Sequence, residues 1–252
     1  MENSLGYIQD EIKKDHYLCG TLRLDILQKD RDWRPFLPAA ERQNIGGFET
    51  SNCTGFGTNN AIETLIRRKF RTRANFSDRY LGICSGTSQA YGNSPHTVIE
   101  TMRCFTGAIP ESDLPFSPEH YYSGVTFAHK IAGAKWLMEY EIEHEWALDG
   151  TEPNWQDALF DALQFSPIGI AVPSWVKDGL LYVRSGEDMH WTLLVGAKKG
   201  ECWIVADSYD PFVKRLAWDF GFTRAKTYAV KKREDFSLQF YQRVGRGVMG
   251  LY

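Results

Sequence analysis

A chain of 252 residues, 43% hydrophobic and 24% charged, is long enough to bury about 70–75% of the surface its unfolded form exposes; it needs no small-protein staple, and the disordered and fibrous classes are excluded. Lys and Arg total 29 against 32 Asp and Glu, a net charge of −3, so no global field draws polyanions and nucleic acid is not an expected partner. The N-terminus lacks the basic and apolar runs of a secretory signal, and the best uncharged stretch, Ala162 to Val176, carries Pro167 and Pro173 and falls short of the roughly 20 apolar residues of a bilayer span, so a soluble, cytoplasmic chain without membrane partners is expected.

Residues 1–38 read as an N-terminal arm packed on the surface of one continuous globule, 39–252, that contains no repeat or Gly/Ser linker. The prolines of Trp33-Arg34-Pro35-Phe36-Leu37-Pro38 favour an extended path. After Asn52, a good N-cap, Phe56, Ile62, Leu65, Ile66 and Phe70 recur at helical spacing and predict a buried helix of about four turns following Cys53. Its basic end, Arg67-Arg68-Lys69-Phe70-Arg71, complements the negative end of the helix dipole and reads as a solvated cap. A second helix is predicted from Gly124 to Met138. Tyr140, Ile142, His144, Trp146 and Leu148 then alternate with Glu139, Glu141, Glu143 and Glu145, which predicts a half-buried strand. A short helix from Thr151 through Leu163 precedes strands at 168–172, 180–184, 190–197, 201–207 and about 225–231. A helical first half and a strand-rich second half form the α+β pattern, with a cleft between them as the natural site.

A cysteine in the first turn of a buried helix sits among unpaired backbone N–H groups at the positive dipole end, both of which favour the thiolate. Cys53 is so placed, although an inert core thiol is an alternative reading of the same position. His190 stands at the mouth of the apolar strand Trp191-Thr192-Leu193-Leu194-Val195, and a hairpin into Glu201-Cys202-Trp203-Ile204-Val205-Ala206-Asp207 brings Asp207 towards it. The five cysteines, Cys19, Cys53, Cys84, Cys104 and Cys202, are an odd set without a CxxC pair, so at least one thiol is free. His16, His96, His120, His129 and His144 are scattered without ligand spacing, and neither metal nor cofactor is expected.

Several separated motifs carry a resemblance. Cys53-Thr54-Gly55-Phe56 opens a helix. Phe76-Ser77-Asp78-Arg79-Tyr80-Leu81 with Cys84-Ser85 follows, then Tyr91-Gly92-Asn93-Ser94-Pro95 and the segment Ile109 to Phe116. Met189-His190-Trp191-Thr192, Ala206-Asp207-Ser208-Tyr209 and Gly247-Val248-Met249-Gly250-Leu251-Tyr252 complete the order. From Gln43 to Tyr252 the chain resembles the papain-like cysteine peptidases. His190 and Asp207 lie 137 and 154 residues after Cys53, beside roughly 130 to 150 for that family.

The resemblance implies a two-lobed fold, with a helical N-terminal lobe over about 39–125, an antiparallel β-barrel-like C-terminal lobe over about 126–252, and the active-site cleft between them. It implies a peptidase acting on a peptide or protein substrate. The Cys53 thiolate attacks the carbonyl, His190 carries the proton, and Asp207 orients the imidazole in the family's Asn position. No loop insertion is evident that would close one end of the cleft, so an endopeptidase is expected. Gln43 carries the oxyanion-hole amide, displaced by an insertion at Gly46-Gly47-Phe48-Glu49. Gly92 and Asn93 form the backbone-binding edge, and Pro95, Ala171 and Met189 wall an apolar pocket for the second residue before the scissile bond. Tyr209 stands where the family has a shielding Trp. Thr54 replaces the usual aromatic, Ser51-Asn52 the usual Gly-Ser, and Thr50 and Met249 stand at bridging cysteine positions, which favours a reducing, intracellular setting of prokaryotic or viral kind. The arm is far shorter than a typical inhibitory propeptide, so no activation cleavage is expected. An amidase, isopeptidase or acyl transferase with the same triad, or a non-catalytic peptide-binding module, are the alternatives. Oligomeric state is left open.

Overall fold

The computed structural model describes residues 6–13, 16, 25–148 and 153–233, the Ser174 side chain excepted. A 3₁₀ turn, Arg34–Phe36, and a small hairpin of β1 (Asn44–Ile45) and β2 (Phe48–Glu49) precede the long helix α1 (Cys53–Phe70). Helices α2 (Asp78–Ser85), α3 (Pro95–Thr101) and α4 (Phe127–Glu139) follow, with a π-helical turn, Met102–Thr106, extending α3. Strand β3 (Tyr140–Leu148), helix α5 (Trp155–Ala162) and strands β4 (Ile168–Asp178), β5 (Leu181–Lys198), β6 (Cys202–Ala206), β7 (Val213–Ala217) and β8 (Ala225–Lys232) complete the order.

The strands form one sheet in the order β3-β8-β4-β5-β6-β7. These neighbours pair antiparallel, and a further parallel contact, Tyr182 with Leu216, joins the start of β5 to β7 and curls that end of the sheet. Helix α1 lies against β5, β8 and β4. The α+β class is therefore the one its pattern predicts. Almost every residue from Cys53 to Ile66 is buried, because the helix is enclosed between the sheet and α2 and α3. Its polar residues consequently need internal partners. Asn59 donates to Asp78 at 2.7 Å, and Glu63 accepts from the Phe76 N–H at 2.5 Å. Gly57 is required by close packing, since a Cβ there would stand 2.8 Å from the Trp191 ring.

Several expectations need correction. The stretch 33–38 is not extended: Pro35 sits in the 3₁₀ turn, where a fixed φ near −65° is compatible, and Trp33 is fully buried, donating to Leu163 O at 2.7 Å. The basic end of α1 is not a solvated cap. Arg67 donates to Leu37 O at 2.6 Å, Arg68 to Gln28 and Leu27, and Lys69 to Val230 O at 3.0 Å, so the run ties the arm and β8 to the helix. Residues 180–184 and 190–197 belong to one strand, because β4 continues to pair with β5 as far as Asp178 with Leu181. Strand β7 has no counterpart among the expected strands. The helix expected from Gly124 starts at Phe127 with Thr126 and His129 closing a capping box, and the helix expected from Thr151 begins at Trp155. Cys19 and the Gly247–Tyr252 motif lie outside the described residues, and among those described no helix is long and apolar enough to cross a membrane.

Candidate active site

Cys53 is the first residue of α1 and is fully buried. The turn leading into it is held tightly. Ser51 adopts φ 51°, a left-handed conformation costly for a residue with a Cβ, while its N–H donates to Glu49 Oε1 at 2.9 Å and its hydroxyl to Gln89 O at 2.8 Å. Asn52 donates to Asp78 O at 2.8 Å and to the Tyr121 hydroxyl at 2.9 Å, so the N-terminus of α1 is braced from α2.

His190 reaches the same place from β5. Val172 pairs with His190 but Pro173 with Asp188, so Met189 is an extra residue, and this bulge re-aims the imidazole beside the cleft. The β5–β6 hairpin pairs Leu193 with Ala206, which sets Asp207 against the ring: His190 Nε2 lies 2.6 Å from Asp207 Oδ1, both side chains being buried. The same oxygen accepts from the Ser208 N–H at 2.9 Å and from the Thr192 hydroxyl at 3.4 Å. His190 Nδ1, the remaining ring nitrogen, has no hydrogen-bond partner among the described residues. Burial opposes charge on the imidazole, but the Asp207 carboxylate and then the adjoining Cys53 overcome it and push the pKa up to about 10. Burial likewise works against an ionised Asp207, and the imidazolium and the Lys214 ammonium outweigh it, holding the carboxyl below its usual range. Tyr209 packs edge-on to the imidazole at 5.4 Å, and Trp175 does so at 5.9 Å.

Gln43 is fully buried beside this group. Its amide nitrogen donates to Glu49 Oε1 and to the Tyr209 hydroxyl, both at 2.7 Å, and its oxygen accepts from the Ser208 hydroxyl at 2.6 Å. Glu49 comes from the inserted hairpin, and its second oxygen accepts from Tyr209 at 2.6 Å.

No protein-family model and no curated protein sequence matches the chain. Among solved structures, the digestive procathepsin L 3 of the Tenebrio molitor larval midgut superposes with a TM-score of 0.61 at 17% identity, over 90% of this chain and 76% of that one. The bromelain protease of Ananas comosus, solved with the E64 inhibitor, gives 0.58 at 15% identity over 79% and 97%. The Amb a 11 cysteine protease, a major ragweed pollen allergen, in its proform gives 0.61 at 15% over 83% and 68%. The fold is papain-like.

The cleft of this papain-like fold is filled by the chain's own arm. Asn93 N donates to Gly6 O at 2.9 Å, Ile8 N to Asn93 O at 3.0 Å and Tyr7 N to Met189 O at 3.3 Å, so Tyr7 pairs with Asn93 as a short parallel strand. The Tyr7 ring stacks on Trp191 at 5.7 Å and forms one apolar cluster with Cys53, Trp146 and Ala171, against which Ile12 packs. Gly92 has φ 69°, and a Cβ there would overlap Gly6 O at 1.8 Å. Residues 6–12 of the arm therefore lie beside Cys53, while its segment 27–37 packs on α1 and on Leu163 and Gln164. Gly92, Asn93, Ala171 and Met189 meet around it, while Pro95 opens α3 two residues beyond Asn93.

Sequence reasoning missed Tyr7, Glu49, Trp175 and Lys214. Lys214 is seen to turn inward only once β7, which is not among the expected strands, is in place. The histidines are also less scattered than expected, for donor atoms of His96, Glu100 and His144 lie within 4.8 Å of one another. His144 Nε2 bonds Glu100 Oε1 at 2.7 Å, Arg103 donates to the same carboxylate at 2.6 Å, and Lys226 lies 3.2 Å from His144 Nδ1. Glu100 is thus shared by His144 and Arg103 while Lys226 meets the other nitrogen of His144, a hydrogen-bonded network that ties α3 to β3.

Proposed function

We propose that the chain is a cysteine peptidase working through Cys53, His190 and Asp207, with its cleft covered in this state by residues 6–12. The observation that carries the reading is the 2.6 Å bond from His190 Nε2 to Asp207, which commits one ring nitrogen and leaves the other for the Cys53 thiol at the start of α1. The Cys53 thiolate adds to the peptide carbonyl, the C–N bond breaks, and the His190 imidazolium gives its proton to the leaving amine. Neutral His190 then takes a proton from water as the hydroxide attacks the thioester, and the acid leaves with the thiolate restored. Gln43 and the Cys53 N–H stabilise the oxyanion, Gly92 and Asn93 bind substrate backbone, Pro95, Ala171 and Met189 wall the apolar pocket, and Tyr209 shields the dyad. The endopeptidase reading rests on the sequence, where no loop insertion is evident that would close one end of the cleft.

The test is incubation of reduced full-length protein with a peptidyl epoxide, followed by intact mass and peptide mapping. A single adduct on Cys53 that is lost in His190→Ala is expected; labelling spread over several cysteines would point to an inert cleft and the peptide-binding module. The raised pKa of His190 gives a second expectation. The imidazolium that protonates the leaving amine is present below about pH 10 and lost as pH rises through that value, so kcat/KM should fall on a basic limb there. Asp207→Asn removes the charge that holds the proton, and its limb should move to lower pH. A pH–rate profile left in place by that substitution would contradict the assignment of Asp207.

A further inference from the structure

We propose that Lys214 is the counter-charge of the His190–Asp207 dyad, a positioning residue that lets an ionised aspartate stand where a neutral amide would otherwise serve. This rests on the peptidase reading for its consequence in turnover, but not for its geometry. Lys214 is the second residue of β7, pairs with Val205 across the β6–β7 hairpin and turns inward, 4% exposed. Its three ammonium protons find three oxygens: Asp207 Oδ2 at 2.6 Å, Tyr209 O at 2.6 Å and Pro211 O at 2.8 Å. The aspartate thus gives one oxygen to His190 and the other to Lys214. The Trp175 ring lies 5.3 Å from the ammonium and also edges His190, covering both.

Charge counting gives the reason. In the thiolate–imidazolium state the buried group holds Cys53⁻, His190⁺, Asp207⁻ and Lys214⁺, which sum to zero. With Asp207 but without Lys214 the same site carries an uncompensated negative charge. With Asp207→Asn beside an intact Lys214 it carries an uncompensated positive one. Removing one member of a buried pair strands its partner, whereas removing both leaves a neutral site. The other ionisable groups around the ring are Cys53 from α1, Tyr7 from the arm, and Tyr209, with Glu49 behind it; Asp188, two positions along β5, is bonded to Arg184 at 2.8 Å.

The experiment compares the full chain with Lys214→Met, Asp207→Asn and the double variant, by urea denaturation and by NMR titration of ring-labelled histidine, His190 being assigned from His190→Gln. Each single variant should lose about 100-fold or more in the folding equilibrium, and the double variant should regain at least about tenfold of the larger loss. The His190 midpoint should rise in Lys214→Met and fall in Asp207→Asn, each by on the order of one pH unit, with the double variant between them. A merely structural lysine would not move the midpoint in opposite directions. Additive losses, or a His190 midpoint unmoved in Lys214→Met, would overturn the proposal. If Lys214→Met does not fold, a folded double variant supports it and an unfolded one refutes it. Neither readout uses a substrate, so failure here is distinct from a failure of Cys53 to label or of the chain to turn over peptide.

Discussion

Tyr7→Ala in the full chain is expected to raise kcat/KM about 100-fold while lowering the melting temperature. The two effects share one cause. Tyr7 is 6% exposed, stacked on Trp191 and packed with Cys53, so its ring contributes to the folded state only while the arm lies in the cleft. Truncating a buried aromatic costs about 3 kcal/mol. Assigned to the closed arrangement, that is roughly a hundredfold in the closing equilibrium, since each 1.4 kcal/mol is a factor of ten. Substrate competes for the same backbone groups, and the apparent affinity of a site open only part of the time is reduced by the open fraction. Activity should therefore rise until the open form predominates. Ile8→Pro, which deletes the N–H donated to Asn93 O at a residue whose own side chain is exposed, should act in the same direction. Turnover of a fluorogenic peptide measured beside a thermal melt decides it. A lower melting temperature with unchanged or lower turnover would make the arm a structural strap, with the cleft opening by another route.

The parts of this arrangement that were legible in the sequence are those set by local period. Helix α1 shows itself in Phe56, Ile62, Leu65 and Ile66, and β3 in the alternation from Tyr140 to Leu148. The meeting of His190 with Asp207 follows from an antiparallel hairpin, which any two adjacent apolar runs joined by a Lys-Gly-Glu turn would form. The break expected between 184 and 190 comes from Arg184-Ser185-Gly186-Glu187-Asp188, a polar run that reads as a turn. Its residues stay in β5 because β4 provides a ladder partner, a tertiary choice that overrides local propensity.

The arm was illegible for a different reason. It is held by the N–H and C=O of Asn93 and the C=O of Met189, groups every residue possesses, so no side-chain pattern announces the pairing. Lys214 and Glu49 fall between these cases. Lys214 reads as an ordinary charged residue until β7 forms and turns it inward to Asp207 across the folded hairpin. Glu49 looks like an exposed loop carboxylate until the β1–β2 hairpin is seen to turn it towards Gln43, Ser51 and Tyr209.

Gln43→Ala is expected to lower kcat/KM for peptide hydrolysis by about 10² to 10³ while leaving alkylation of Cys53 by chloroacetamide unchanged. Ten residues separate Gln43 from Cys53, yet the fold sets its amide against Ser208 and Tyr209, the two residues that follow Asp207. In the closed state the amide nitrogen donates to Glu49 and to Tyr209, which uses both of its protons, so the bond to one of them is exchanged for the substrate oxygen as negative charge develops there. Peptide hydrolysis develops that charge on the carbonyl oxygen, and substitution at a saturated carbon develops none there. The two reactions share the thiolate, the imidazolium and the gating by the arm, and differ in the need for an oxyanion donor. A variant that loses both rates together would show that Gln43 holds the cleft in shape, and one that retains parental turnover would assign the oxyanion to another donor beside Cys53.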